Sequence, residues 1–212
     1  GSNSRPVIIV ETMSDTMYLN AFDKFLQDPN ISMNPLNVVP AYNKNSVLPL
    51  SIFHRNNGYN TFILLDNEHE SKQIADELRI NKFSEIQTVF FEREGKSLQS
   101  IEDYMLIEDY LHAVNQTYEI KLRKQGYTTI TTDQVLFQGK KGVVDNLRAI
   151  WDEHQDDDWE KFDKEEICRY ICEKIALDQA DFLSDETKNR LRGLYRLIAE
   201  RIRQFQNTVN EI

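Results

Sequence analysis

Short apolar runs alternate, in the first part of the chain, with stretches whose apolar residues recur every three or four positions. Val7-Ile8-Ile9-Val10 and Phe62-Ile63-Leu64-Leu65 are unbroken and flanked by polar residues. That is the pattern of a strand buried on both faces of a parallel sheet. Leu36-Asn37-Val38-Val39 and residues 86–91 read as two further strands. After the first strand, Met17, Tyr18, Ala21, Phe22 and Phe25 share a helical face; Ser14 or Asp15 can cap that helix, and Asp28-Pro29-Asn30 stops it. Ser46 can cap a second helix through Ile52 and Phe53, with Pro49 suited to its first turn. Asn56-Asn57-Gly58 is a turn, and residues 70–78 form a third helix with Ile74, Ala75 and Leu78 on one side. Strand and helix thus alternate, which predicts an α/β fold: a parallel sheet of about four strands flanked by helices. Right-handed crossovers then place every strand's carboxyl end on one rim, where open α/β sheets bind ligands.

The second half is helical in pattern. Residues 107–120 carry Leu111, Val114 and Tyr118 on one stripe, with Glu108 and His112 opposite. Residues 126–137 are rich in Thr and suit a short strand or an extended loop. Helical spacing returns over 143–151, is broken by Asp156-Asp157-Asp158, and resumes over 165–175. Residues 185–205 form a long amphipathic helix with Leu191, Leu194, Tyr195, Ile198 and Ile202 as its apolar face. That helix can pack on the α/β core or on a second copy of itself, so a homo-oligomer is one expectation.

Composition narrows the class. A chain of 212 residues with 40% hydrophobic content can bury a sizeable core. No run of 18 apolar residues is present, so no membrane span is expected. Residues 7–10 are too short for a secretory signal core. Cys168 and Cys172 stand i, i+4 and suit small apolar groups on one helix face in a reducing, cytoplasmic setting. The net charge of −10 argues against coating nucleic acid by bulk electrostatics but leaves room for a local basic groove. Charge is uneven: residues 152–166 hold nine acids, whereas 188–203 hold six bases and one acid. Lys188, Arg192, Arg196 and Arg203 can form a phosphate-binding face, a solvated face or a dimer contact. Gly1-Ser2-Asn3-Ser4 reads as an added or flexible start, and the first strand follows at once, as in a piece of a longer chain.

The acids carry the chemistry. Glu11 ends the first strand, with Asp15 four residues on; Asp66 and Glu68 end the central strand; Glu102 and Asp103 follow the fourth. Carboxylates gathered on one rim repel one another unless a cation lies between them. Mg²⁺ or Mn²⁺, hard ions that take oxygen ligands, would remove that repulsion. Two such ions can clamp the attacking and leaving oxygens of a phosphodiester. Lys140 or Lys141, after Phe137-Gln138-Gly139, could stabilise the developing negative charge. Structural roles exist for each: Asp15 as a helix N-cap, Glu102 as an acid at a helix start, and the lysines as surface charge.

These residues also resemble a known family. Val7-Ile8-Ile9-Val10-Glu11-Thr12-Met13-Ser14-Asp15 resembles the first Toprim motif, a hydrophobic strand followed by Glu-Gly-x-x-Asp, and Leu64-Leu65-Asp66-Asn67-Glu68 resembles its Asp-x-Asp motif. Ser100-Ile101-Glu102-Asp103-Tyr104 is similar to the Ile-Glu-Asp segment of the OLD (overcoming lysogenization defect) nucleases, and Phe137-Gln138-Gly139-Lys140-Lys141-Gly142 to the lysine segment that follows it there. The resemblance implies a Toprim-like catalytic domain over residues 5–155 and a helical extension over 156–212. It implies a metal-dependent endonuclease, DNA ahead of RNA as substrate, holding two Mg²⁺ or Mn²⁺ ions. In that role Glu11 would be general base or first ligand, Asp15, Asp66 and Glu68 ligands, and Glu102 or Asp103 part of the second metal site. Lys140 or Lys141 would face the scissile phosphate. It further implies an ABC-type ATPase domain or subunit and a part in anti-phage defence. No Gly-x-x-x-x-Gly-Lys-Ser/Thr loop occurs in the chain, so that ATPase would lie outside it.

The chain departs from the family at Thr12, where glycine is usual, and at Glu68, one methylene longer than Asp. His69-Glu70-Ser71 also replaces a small, glycine-containing stretch. Two other functions stand beside the DNA nuclease: a catalytically degenerate Toprim-like module that binds an ATPase, and an RNA-cleaving relative.

Overall fold

The structure, a computed structural model, describes residues 6–28, 37–124, 126, 128–154 and 161–210. In chain order it comprises β1 (Val7–Val10), α1 (Met13–Leu26), β2 (Asn37–Pro40), a 3-10 turn (Lys44–Ser46) opening α2 (Val47–Asn56), β3 (Thr61–Leu65), α3 (His69–Ile80) and β4 (Thr88–Phe90). A two-stranded hairpin follows, β5 (Glu92–Arg93) and β6 (Lys96–Ser97), then a 3-10 turn (Ile101–Tyr104). The remainder is helical: α4 (Ile107–Lys124), α5 (Thr132–Phe137), α6 (Val143–Glu153), α7 (Lys164–Ala176) and α8 (Asp185–Asn210).

The fold is α/β, as the alternation of elements predicts. Four strands form one parallel sheet in the order β2-β1-β3-β4. Because side chains alternate across a strand, each unbroken apolar run feeds two cores. Val7, Ile9, Ile63 and Leu65 meet Val47 of α2, Ile74 and Leu78 of α3, and Phe83 on one face. Ile8, Val10, Phe62 and Leu64 face the larger cluster, built with Tyr18, Leu19 and Phe22 of α1 and with α4, α6, α7 and α8. Residues of the last two helices, among them Ile167, Ile171, Leu191, Leu194 and Ile198, belong to that same cluster. Helix α7 lies along α1, and its Cys168 thiol meets the Ser14 carbonyl oxygen at 3.5 Å. Cys168 and Cys172 are both free thiols, 3.9 Å apart. Among the described residues, no helix is long and apolar enough to cross a membrane.

Three local readings need correction or adjustment. Residues 132–137 are helical, not a strand or extended loop. Thr131 accepts the Gln134 N–H and Gln134 reaches back to Thr131, so the threonine-rich stretch supplies a capping box. The β5–β6 hairpin and the 3-10 turn have no counterpart in the sequence pattern; the hairpin's strands are two residues long, too short to show a period. Helix α1 ends at Leu26 on Gln27 in left-handed conformation (φ 47°); Pro29-Asn30, expected to stop it, and Asp156-Asp157-Asp158 lie outside the described residues.

One buried carboxylate ties the start of α8 to the start of α4. Asp109 Oδ2 accepts hydrogen bonds from the Ser184 N–H (2.8 Å), the Ser184 hydroxyl (2.7 Å) and the Thr187 hydroxyl, whose oxygen in turn accepts the Leu106 N–H at 2.9 Å. Removing this acceptor strands buried donors, so Asp109→Ala should cost about 3 kcal/mol. Urea unfolding checks this: the midpoint should fall with an unchanged slope.

Candidate metal centre

Glu11 leaves β1 and Asp66 leaves β3, the two central strands, whose last paired residues include Val10 and Leu64. The Asp66 N–H donates to Glu11 Oε1 at 2.8 Å, and the Ser71 hydroxyl of α3 donates to the same oxygen at 2.8 Å. Glu11 is therefore fixed by one of its oxygens. Its other oxygen, Oε2, is buried without a hydrogen-bond partner.

Asp15 arrives through helix capping. Thr12 is the N-cap of α1 in extended conformation (φ −126°, ψ 164°), a backbone any residue adopts. The glycine usual in the resembling family is thus not required here. Asp15 Oδ2 accepts the Thr12 N–H at 2.9 Å and the Thr12 hydroxyl at 2.7 Å, while Oδ1 is buried and unpartnered. Asp15 is both the capping acid and a member of the cluster. Asp66 Oδ1 and both oxygens of Glu102 are likewise buried without hydrogen-bond partners. Glu102 comes from the 3-10 turn and is fully buried.

The counter-charge comes from Lys164, the first residue of α7. Its Nζ lies 3.7 Å from Glu102 Oε1, with the lysine side chain 18% exposed. Burial opposes its charge, but Glu102, Asp15 and Asp66 outweigh burial and hold its pKa above the usual value. Burial, with Lys164 opposing and Glu102 adding to it, pushes the Asp15 carboxyl up to about 6. Asp66 is pushed well above the carboxylate range by burial and then by the charges of Asp15 and Glu11. Glu11 is raised by burial against the hydrogen bonds from Ser71 and Asp66. No local sequence pattern marks Lys164; its pairing is made by the packing of α7 on α1.

The other predicted residues fall elsewhere. Glu68 stands at the N-cap position of α3, but its carboxylate pairs with Lys44, which also reaches Glu70 at 3.1 Å. Burial works to raise Glu68, but Lys44 more than offsets it and the carboxyl ends below its usual value. Asp103 is a clamp: Oδ2 accepts the Gln99 N–H at 2.9 Å and the Ser100 N–H at 3.2 Å, and Oδ1 accepts the Val143 N–H at 2.9 Å. Of the neighbouring acids, Glu102 turns into the cluster and Asp103 holds backbone. Lys140 and Lys141 are exposed on a loop that Asn146 fixes through the Lys140 N–H (2.7 Å) and the Gly142 carbonyl (2.9 Å). Gly142 packs so closely that an added Cβ would stand 2.9 Å from Gln99 Cβ. Lys188 and Arg192 line a cleft between α1, α7 and α8, whereas Arg196 and Arg203 are exposed on α8.

The donor chemistry suits a hard cation, since four carboxylates each keep at least one buried oxygen unpartnered. The geometry is not a finished cage: among the described residues, no three His, Cys, Asp or Glu side chains are arranged to hold a metal ion.

The sequence matches no protein-family profile and no curated protein. In structure, the chain is similar to the C-terminal region of the Xanthomonas campestris pv. campestris OLD protein, at 16% identity and a TM-score of 0.41, covering 95% of this chain and 97% of that one.

The raised carboxyls set a pH dependence. Asp15 moves from 3.8 to about 6 on folding, so its contribution is most favourable below the unfolded value and is lost as pH rises through about 6, a change on the order of 3 kcal/mol. Asp66 and Glu11 act in the same sense. The metal-free protein should therefore lose thermal stability from about pH 4 to about pH 7. Asp15→Asn should flatten that decline in a pH series of melting curves.

Proposed function

We propose that this chain is a divalent-metal-dependent phosphodiesterase that cuts DNA. In this reading it works with an ABC-type ATPase outside the chain, in anti-phage defence. One observation carries the reading. Four carboxylates from separate segments, Glu11, Asp15, Asp66 and Glu102, lie in one buried cluster, and each has an oxygen with no donor. An acidic turn or a simple helix cap would leave its oxygens to water. The order of the motifs along the sequence supports the same reading.

Mg²⁺ or Mn²⁺ would be held by Glu11 and Asp66, with Asp15 and Glu102 at hand. When bound, such an ion polarises a phosphoryl oxygen and lowers the pKa of a bound water. The chain's own part is positioning. Ser71 and the Asp66 N–H hold Glu11 Oε1, so Oε2 is the oxygen left to face the centre. Thr12 holds Asp15 Oδ2 and leaves Oδ1. Lys140 and Lys141 bring positive charge on a loop whose backbone is tied to Asn146, and the adjoining Val143 N–H binds Asp103. In this reading the two lysines meet the phosphate backbone electrostatically.

A second reading has its own observation. Lys164 already places an ammonium among the acids, as a module that had lost its metal and its activity would.

Mn²⁺ or Mg²⁺ titration separates the two, followed by both thermal unfolding and plasmid nicking with the ATPase supplied. The nuclease should gain several degrees in Tm, because the ion binds only the folded cluster. Glu11→Gln and Asp66→Asn should each lower nicking by about a hundredfold or more, and Asp15→Asn by less, because Asp15 also serves as the capping acid of α1. Neither stabilisation nor cleavage would establish the inert module.

A further inference from the structure

We propose that Tyr42 stacks on an unpaired nucleotide base beside the carboxylate cluster, and that the substrate is therefore single-stranded or locally opened DNA rather than intact duplex. This rests on the nuclease reading above and names its substrate class.

Tyr42 stands on the rim that carries the acids. Val10 of β1 pairs with Pro40 of β2 on one side and with Leu64 of β3 on the other. The Ala41 N–H continues the ladder to the Val10 carbonyl oxygen at 2.8 Å. Tyr42 and Asp66 thus each lie two residues beyond the same rung, on either side of the strand that leads to Glu11. Neighbouring strands are about 4.8 Å apart, so β2 and β3 flank β1 with about 10 Å between them. One nucleotide bridges such a span, with its phosphate at the acids and its base at the tyrosine. Lys44, two residues past Tyr42, pairs with Glu68, and its charge acts on Glu11. The segment therefore runs beside the cluster.

Local structure does not account for a tyrosine at this position. Tyr18, Tyr104, Tyr110, Tyr118 and Tyr195 are buried, whereas Tyr42 is 69% exposed. Its backbone is left-handed (φ 66°), which is unfavourable for a residue with a side chain. Among the described residues, four other non-glycine positions have positive φ. Gln27, Lys82 and Asp178 follow helix ends and Glu94 turns the β5–β6 hairpin, which are ordinary uses of that conformation. Tyr42 instead joins a strand to the 3-10 turn, between two fixed neighbours. Ala41 is buried, and Asn43 caps the turn by accepting the Ser46 N–H at 3.0 Å. An aromatic ring is held in water on a backbone that glycine would adopt more easily. Strain of this kind gathers where a ligand is held.

The ring's chemistry selects the ligand. Every base has a π-face on which an aromatic side chain can stack, whatever the sequence. In duplex DNA those faces are covered by neighbouring base pairs, whereas an unpaired base leaves them open. Stacking also suits a chain of net charge −10, whose overall field repels phosphate.

Cleavage by the intact chain, with metal and the ATPase supplied, tests this on three substrates: a single-stranded oligonucleotide, a duplex with an unpaired gap, and the same duplex fully paired. The wild type should cut the first two at least about tenfold faster than the third. Tyr42→Ala should reduce that preference about tenfold, mainly through KM, and Tyr42→Phe should restore it. Binding is read in a Glu11→Gln background from the fluorescence of a single-stranded oligonucleotide carrying 2-aminopurine. There Tyr42→Gly should melt no lower than its parent, because the left-handed backbone suits glycine, yet bind about tenfold less tightly and quench less. Tyr42→Ala that cuts all three substrates as the wild type does, or a wild type that favours the paired duplex, would overturn the inference and leave the nuclease standing. Weakened capture of the ATPase by Tyr42→Ala, with oligonucleotide binding unchanged, would overturn it in favour of a protein contact. No metal-dependent cleavage of any of the three would overturn the nuclease reading, and the inference with it.

Discussion

Mutual repulsion among carboxylates withdrawn from water is the constraint that the other features of this molecule answer. Glu11, Asp15, Asp66 and Glu102 come from the end of a strand, the first turn of a helix, the end of a second strand and a 3-10 turn. Nothing local brings them together. The parallel sheet does so for Glu11 and Asp66, by ending both central strands on the same rim. The hairpin and 3-10 turn bring Glu102 to the same place. Lys164 is carried in by apolar packing: the burial of Ile167 and Ile171 stabilises α7 against α1, and that contact sets the ammonium among the acids. Hydrophobic energy thus holds an electrostatic arrangement that would not hold itself.

The helical end of the chain is for this reason continuous with the site. A reading of the sequence that separates residues 5–155 from 156–212 follows a real change of pattern, since the alternation of strands and helices does stop. The apolar cluster runs across that change. Leu191, Leu194 and Ile198 of α8 are buried with Ile8, Val10, Phe62 and Leu64 of the sheet, and Asp109 joins α4 to the start of α8.

The legible parts of the fold and site share a cause. Unbroken apolar runs announce buried strands, and a strand's end is where its next side chain meets the rim, so Glu11 and Asp66 could be placed from sequence. Asp15 could also be placed, though its two roles could not be told apart, because one oxygen serves each. Glu68 is three residues past its strand, already at the N-cap position of α3, and it turns to Lys44. Glu102 and Asp103 are adjacent and chemically alike. Only the path of the 3-10 turn decides which faces inward and which accepts backbone N–H groups. Lys164 was out of reach of any local pattern, because nothing in an acid-rich stretch marks one lysine as the partner of a distant glutamate. The threonine-rich stretch misled for a related reason: Thr131 reads as a strand former until its hydroxyl is seen to cap a helix.

The contact at Gly142 has a consequence for the lysine loop. With Gln99 Cβ at 2.9 Å and Asp103 Oδ2 at 3.2 Å from where a methyl group would stand, the gap admits hydrogen alone. The same Asp103 oxygen receives the Gln99 and Ser100 N–H groups. Loop and turn are therefore meshed like two teeth of a gear: displacing one by a single carbon's width displaces the other. Glu102 immediately precedes Asp103 in that turn, so the exposed lysines and the most deeply buried acid share a mechanical linkage, although their charges face different surroundings.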